Sequence, residues 1–170
     1  TETSLVEKIA MENKPLRVLT AKTPKERDTL WEVRRVISPA LYNIAPFKIN
    51  EDICVPRSRI LEALNRIAEI QKRYPSLKVA NFGHIGDGNI HVNIMHEAGE
   101  QQKIMAEKMI EEILRTTVEL GGTISGEHGI GNVKSAFLSL EIPPQELRIM
   151  KDIKHLLDPK GILNPGKMFV

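Results

Sequence analysis

The run Gly83-His-Ile-Gly-Asp-Gly-Asn-Ile-His-Val-Asn93 constrains this chain more than any other. Strand-forming residues precede it at 77–82 and continue through it at 89–95. The Gly86-Asp87-Gly88 punctuation between them predicts an antiparallel hairpin. A two-stranded ribbon is not stable alone in water. The rest of the chain must therefore supply further strands, and helices to cover at least one face.

Those helices are legible from their apolar spacing. Residues 58–73 turn Ile60, Leu61, Leu64, Ile67, Ala68 and Ile70 to one side, and residues 100–120 do the same with Ile104, Met105, Met109, Ile110, Ile113 and Leu114 before Gly121-Gly122 stops them. Further helices are expected at 4–13, at 132–140 and at 143–157. Another begins at Pro24 behind a Thr23 cap, and Pro39 kinks or ends it. Strands are expected at 16–21 and 52–56, with a short one at 123–125 and a loop over 42–50. The order implies an α+β fold: an antiparallel or mixed sheet with helices packed against it, followed by a helical C-terminal segment. A chain of 170 residues suits one domain with a sizeable core.

Composition removes several function classes. A formal net charge of +2, from 24 basic and 22 acidic residues, leaves no broad nucleic-acid footprint, and few aromatics are present for base stacking. The single cysteine, Cys54, excludes an intrachain disulfide framework and suits a reducing compartment. No run approaches the ~20 apolar residues of a spanning helix, and the first residues lack a signal-peptide pattern. The expectation is a cytoplasmic protein.

The chemistry concentrates in two runs. His84 and His91 sit at facing ends of the hairpin strands, where two imidazoles suit zinc or a neighbouring divalent metal. Asn93 follows His91 by two and shares its face. The second run, Thr123-Ile-Ser-Gly-Glu-His-Gly-Ile-Gly131, sets Glu127 beside His128 between glycines. Glu127 completes a two-histidine, one-carboxylate set with positions open to substrate. His128 diverges from the metal and is free to act as a general base. Each run alone also fits a plainer reading: two surface histidines on a glycine-shaped turn, and a helix entry capped by its glutamate. Asp87 reads as a turn residue, His96 as exposed, and His155 as structural or exposed.

Taken with the tail Leu157-Asp-Pro-Lys-Gly-Ile-Leu-Asn-Pro-Gly-Lys-Met-Phe169, the two runs resemble the C-terminal domain of FAD-linked oxidases, the family of D-lactate dehydrogenase, D-2-hydroxyglutarate dehydrogenase and the glycolate oxidase FAD subunit. Leu30-Trp-Glu-Val-Arg34 and Glu51-Asp-Ile-Cys-Val-Pro56 fit the same pattern. The resemblance implies a ferredoxin-like cap domain spanning residues 1–170, with the N-terminal FAD-binding domain of the family absent. It implies His84, His91 and Glu127 as ligands of a divalent metal, zinc or manganese, and His128 as the base for the substrate hydroxyl. Arg34 and Asn93 fall at substrate-binding positions. Lys48 stands near a substrate lysine of some members, at a different spacing from Pro56. Asn164 and Lys167 match a tail that folds towards FAD.

The implied partners are a small 2-hydroxy acid and an FAD-binding domain in the same parent chain. Other oxidase subunits or an electron-transfer protein would provide any membrane association; nucleic acid is not among them. The competing expectations are a self-contained metal-dependent hydrolase and a non-catalytic assembly module of a flavoprotein complex.

Overall fold

The computed structural model describes residues 2–169, which divide into two compact units meeting at Ala40 and Leu41. The first holds helices α1 (Glu2–Glu12) and α2 (Pro24–Ala40), neither with a buried residue. The expected cap of α2 is present. Thr23 Oγ1 accepts the Glu26 N–H at 3.2 Å, and Glu26 Oε2 accepts the Thr23 N–H at 3.1 Å, a reciprocal capping box. Pro39 lies in the last turn, and the helix ends one residue later. The strand expected at 16–21 is not formed. The segment has no strand partner among the described residues, and Leu16 and Leu19 are exposed; without a ladder, β-branched propensity alone does not make a strand.

The second unit contains β1 (Phe47–Cys54), α3 (Ile60–Lys72), β2 (Lys78–His84), β3 (Asn89–His96), α4 (Glu100–Glu119), α5 (Leu138–Glu141) and α6 (Pro144–Leu157). The three strands form one antiparallel sheet in the order β1-β3-β2. This is the α+β architecture expected, with helices packed on an antiparallel sheet and a helical C-terminal segment. The order is ferredoxin-like, with no outer fourth strand among the described residues. Where residues 123–125 were expected to pair, a single bridge joins Thr123 to Cys54.

Register sorts the side chains. Ile49, Ile53, Ile90, Val92, Ile94 and Val79 face α3 and α4, and meet Ile67, Met109, Ile113 and Leu114 in the main core. In α4 the buried positions 106, 109, 110, 113, 114 and 117 follow the helical period. Burying each such Ile or Leu contributes ~1.5–3 kcal/mol. The opposite face is polar at its centre. Its rows run Cys54-Asn89-His84, Asp52-His91-Phe82, Asn50-Asn93-Ala80 and Lys48-Met95-Lys78.

Strand β1 starts five residues earlier than expected and replaces the second part of the expected loop, residues 47–50. Full pairing with β3 overrides its polar composition. Residues 132–140 form turns, a 3-10 turn at Ser135–Phe137 and only one turn of α5, because Lys134 is drawn inward. No helix among the described residues is long and apolar enough to cross a membrane.

Candidate metal and proton-transfer site

The hairpin turn delivers both histidines to the polar face. Gly88 has φ +78°, and a Cβ there would fall 2.0 Å from the Val55 carbonyl oxygen, so no larger residue closes this turn. His84 and His91 then stand edge to face, with ring centroids 5.5 Å apart. Glu127 reaches both: its Oε1 lies 3.5 Å from His84 Nε2 and 3.3 Å from His91 Nε2. Donor atoms around a tetrahedral zinc, at ~2.0–2.1 Å from the ion, lie roughly 3.3–3.4 Å apart. The set therefore fits a divalent metal in donor chemistry, its two carboxylate–imidazole distances match that spacing, and all three donors lie within 4.8 Å of one another. The side chains of His84 and Glu127 are 37% and 53% exposed, which leaves the outer side open to a substrate.

His128 lies over His91, with ring centroids 5.2 Å apart and planes 17° apart, outside the group of His84, His91 and Glu127. Its backbone position is set by Asp52, which is fully buried. Asp52 Oδ2 accepts the backbone N–H groups of Glu127 and His128 at 2.6 and 2.8 Å, and Oδ1 accepts Asn89 Nδ2 at 2.5 Å. Burial alone would raise the Asp52 carboxyl. The N–H groups of His128, Glu127 and Asn89 outweigh it and hold the carboxyl below its usual value. Burial pushes the His91 imidazole down, against the pull of Asp52, and so favours the neutral form a metal requires. Asp52, His91 and His128 form a second group with ligand spacing. Oδ2 of Asp52 already accepts two N–H donors, while Oδ1, which accepts one, also faces His91 Nδ1 at 3.5 Å.

Lys134, only 5% exposed, closes the loop behind the site. Its Nζ donates to the carbonyls of Asp52 (2.7 Å) and Ile124 (2.6 Å), where a fourth strand would have bonded, and lies 3.5 Å from Glu51 Oε2. Asp52, Glu51, Asn89 and Lys134 were not among the sequence-derived site residues. A signal existed for Asp52 alone: a carboxylate inside the apolar run at 52–56, alternating with Ile53.

The remaining candidates fall at varying distances from the cluster. Asn93 is buried two residues along from His91, donating to the Ala80 and His91 carbonyls. Lys48 shares the polar face, with its ammonium 5.0 Å from the Tyr42 ring centroid. It stands four residues from Asp52, roughly 13–14 Å along the strand. Arg34 belongs to the first unit, where its guanidinium lies 5.9 Å from the Trp31 ring centroid. Asn164 and Lys167 line a cavity of about 260 Å³ with Lys151 and His155. The tail is tied to the loop beyond His128, since the Met168 N–H donates to the Gly131 carbonyl at 2.8 Å. Asn132, with its amide oxygen turned to Lys167, accepts from Nζ at 3.2 Å. His96 is buried, contrary to expectation: it stacks on Phe47 and its Nδ1 lies 2.8 Å from the Glu97 carbonyl oxygen.

An antiparallel sheet with two histidines on its polar face, and a glutamate brought to them by the loop at 123–131, defines an α+β domain with a candidate metal site. Residues 1–168 match the family described as "FAD linked oxidases, C-terminal domain", and the chain belongs to that family. It is 38% identical over 165 residues to the glycolate oxidase subunit GlcD of Bacillus subtilis, covering 96% of this chain and 35% of that protein. It is 39% identical over 162 residues to a D-lactate dehydrogenase of Archaeoglobus fulgidus, covering 95% and 35%. A D-2-hydroxyglutarate dehydrogenase of Stutzerimonas stutzeri is 33% identical over 153 residues, covering 88% and 32%. The chain thus spans about a third of the length of these curated relatives.

Proposed function

We propose that this chain is the substrate- and metal-binding part of a flavin-dependent 2-hydroxy acid dehydrogenase or oxidase of glycolate or D-lactate type. The observation that carries the reading is the approach of His84 Nε2 and His91 Nε2 to one oxygen of Glu127, with His128 stacked beside them. His84, His91 and Glu127 would hold zinc or manganese, which supplies Lewis-acid polarisation of the substrate hydroxyl or carboxylate. FAD, held chiefly by an N-terminal domain of the same protein, supplies the acceptor for the C2 hydride.

The residues of this chain bind, orient and move a proton. A ring nitrogen of His128 accepts the hydroxyl proton as the 2-hydroxy acid becomes a 2-keto acid. Arg34 offers a planar fork for the substrate carboxylate, and Asn93 and Lys48 add polar contacts on the sheet face. Asn164 and Lys167 are the contribution of the tail towards FAD. The resulting protein is cytoplasmic, with any membrane association through partner subunits or an electron-transfer protein. Metal analysis of the full-length protein, with turnover on a panel of 2-hydroxy acids, tests the reading. About one metal per chain and keto-acid formation are expected. A metal-free protein inactive on the whole panel removes it.

A further inference from the structure

The hairpin and the Glu-His turn meet on a carboxylate that neither of them contains. Asp52 Oδ2 is occupied by the backbone N–H groups of Glu127 and His128, while Oδ1 accepts from Asn89 and faces His91 Nδ1 at 3.5 Å. That Nδ1 is buried and has no hydrogen-bond partner among the described residues. The other ring nitrogen, Nε2, looks towards Glu127.

A neutral imidazole carries one proton, and its place decides which nitrogen has a lone pair to give. With the proton on Nε2, no metal can bind there, and the bare Nδ1 would face the lone pairs of Oδ1. With the proton on Nδ1, Oδ1 becomes its acceptor once the ring closes about 0.5 Å to ordinary hydrogen-bond distance. Metal-bound histidines generally hand their second N–H to such a carboxylate.

We propose that Asp52 is the positioning residue of this site. Its Oδ1 accepts the Nδ1 proton of His91 and frees Nε2 for a divalent metal, while its Oδ2 fixes where Glu127 and His128 stand. One buried side chain thereby sets both the metal ligand and the proton acceptor. The inference rests on His84, His91 and Glu127 being the metal ligands.

Nitrogen-15 NMR of histidine-labelled, metal-stripped full-length protein reads the tautomer of His91 directly, and the expected form is Nδ1–H. Asp52→Asn retains the shape of the side chain. Its amide oxygen suits the two backbone N–H groups, so its NH2 turns to Nδ1, which must then accept. The expected results are the Nε2–H tautomer and a zinc affinity ~10–100-fold weaker. An unchanged tautomer or an unchanged affinity in the folded variant overturns the proposal. Should the variant not fold, the wild-type tautomer decides, and Nε2–H in the metal-stripped protein overturns it. Failure of the wild-type protein to bind zinc would instead remove the metal reading, and the Asp52–His91 contact would still be judged by the NMR signal.

Discussion

The backbone N–H of His128 donates to Oδ2 of Asp52 at 2.8 Å across seventy-six positions of sequence. The imidazole proposed as proton acceptor is therefore placed by the sheet and not by its own loop. Gly126 makes the approach possible. A Cβ there would lie 2.1 Å from Asn89 Nδ2 and 2.8 Å from Asp52 Oδ1. Gly126→Ala should destabilise the protein by ~1–3 kcal/mol, the usual range for forcing extra volume into a packed site. Urea unfolding measures it, and an unchanged midpoint would mean that the loop does not seat on Asp52 as described.

Glu127→Gln preserves size and removes the charge that both Nε2 atoms face. Zinc affinity of the full-length protein should fall by at least about tenfold, the lower bound for losing even an outer-shell partner. His96→Gln is the control, because His96 pairs with Phe47 and Glu97 outside the cluster. Metal content that responds to both changes, or to neither, would place the metal elsewhere.

What was legible in the sequence is what rests on local pattern. The hairpin follows from two alternating runs about a glycine turn, and α3 and α4 from apolar spacing. His84, His91 and Glu127 stand out as metal-ligand residue types in and beside glycine-rich runs. Strand β1 was legible only at its end, since Lys48, Asn50, Glu51 and Asp52 hide its period of two. The burial of Glu51 and Asp52 is decided by β3 beside them and by the loop above. Lys134 escaped because its Asp52 partner lies 82 positions away; Asp52 carried a signal as a carboxylate in an apolar run, but no spacing rule ties it to the Glu-His turn 75 positions on.

Lys134 and Glu51 form a buried pair whose members depend on each other. Burial raises the Glu51 carboxyl, and Lys134 is the strongest influence against that rise. Lys134→Met strands Glu51 and leaves the Ile124 carbonyl without its donor, while the Asp52 carbonyl keeps the Gly126 N–H, and should cost ~3–5 kcal/mol. Adding Glu51→Leu should restore part of that loss. Denaturant titrations of the two single variants and the double variant give the coupling, and strict additivity would show that the pair does not interact.

Burial holds the folded-state pKa of His91 below its ordinary 6.5. The unfolded chain therefore binds more protons at this position as pH falls below 6.5. Stability from the neutral imidazole is full above that pH and is lost as pH falls through the depressed folded value. Metal-free protein should show this slope in unfolding free energy, and His91→Asn should be flatter over the same window. Parallel profiles would mean that His91 is not buried as a neutral group.

His128 separates the roles of the Glu-His turn most sharply. It shares a backbone anchor with Glu127, yet its ring lies outside the group formed by His84, His91 and Glu127. Replacing it should leave the metal in place and remove the proton acceptor. In the full-length protein, His128→Ala should lower kcat on glycolate or D-lactate by ~10²–10⁴, the usual contribution of a positioned base. KM should move far less, because substrate orientation is proposed to rest on the metal. Zinc content should match the wild-type protein, which separates loss of the base from collapse of the loop. Full turnover without the imidazole would take His128 out of the mechanism and leave Glu127 as the only functional member of the turn.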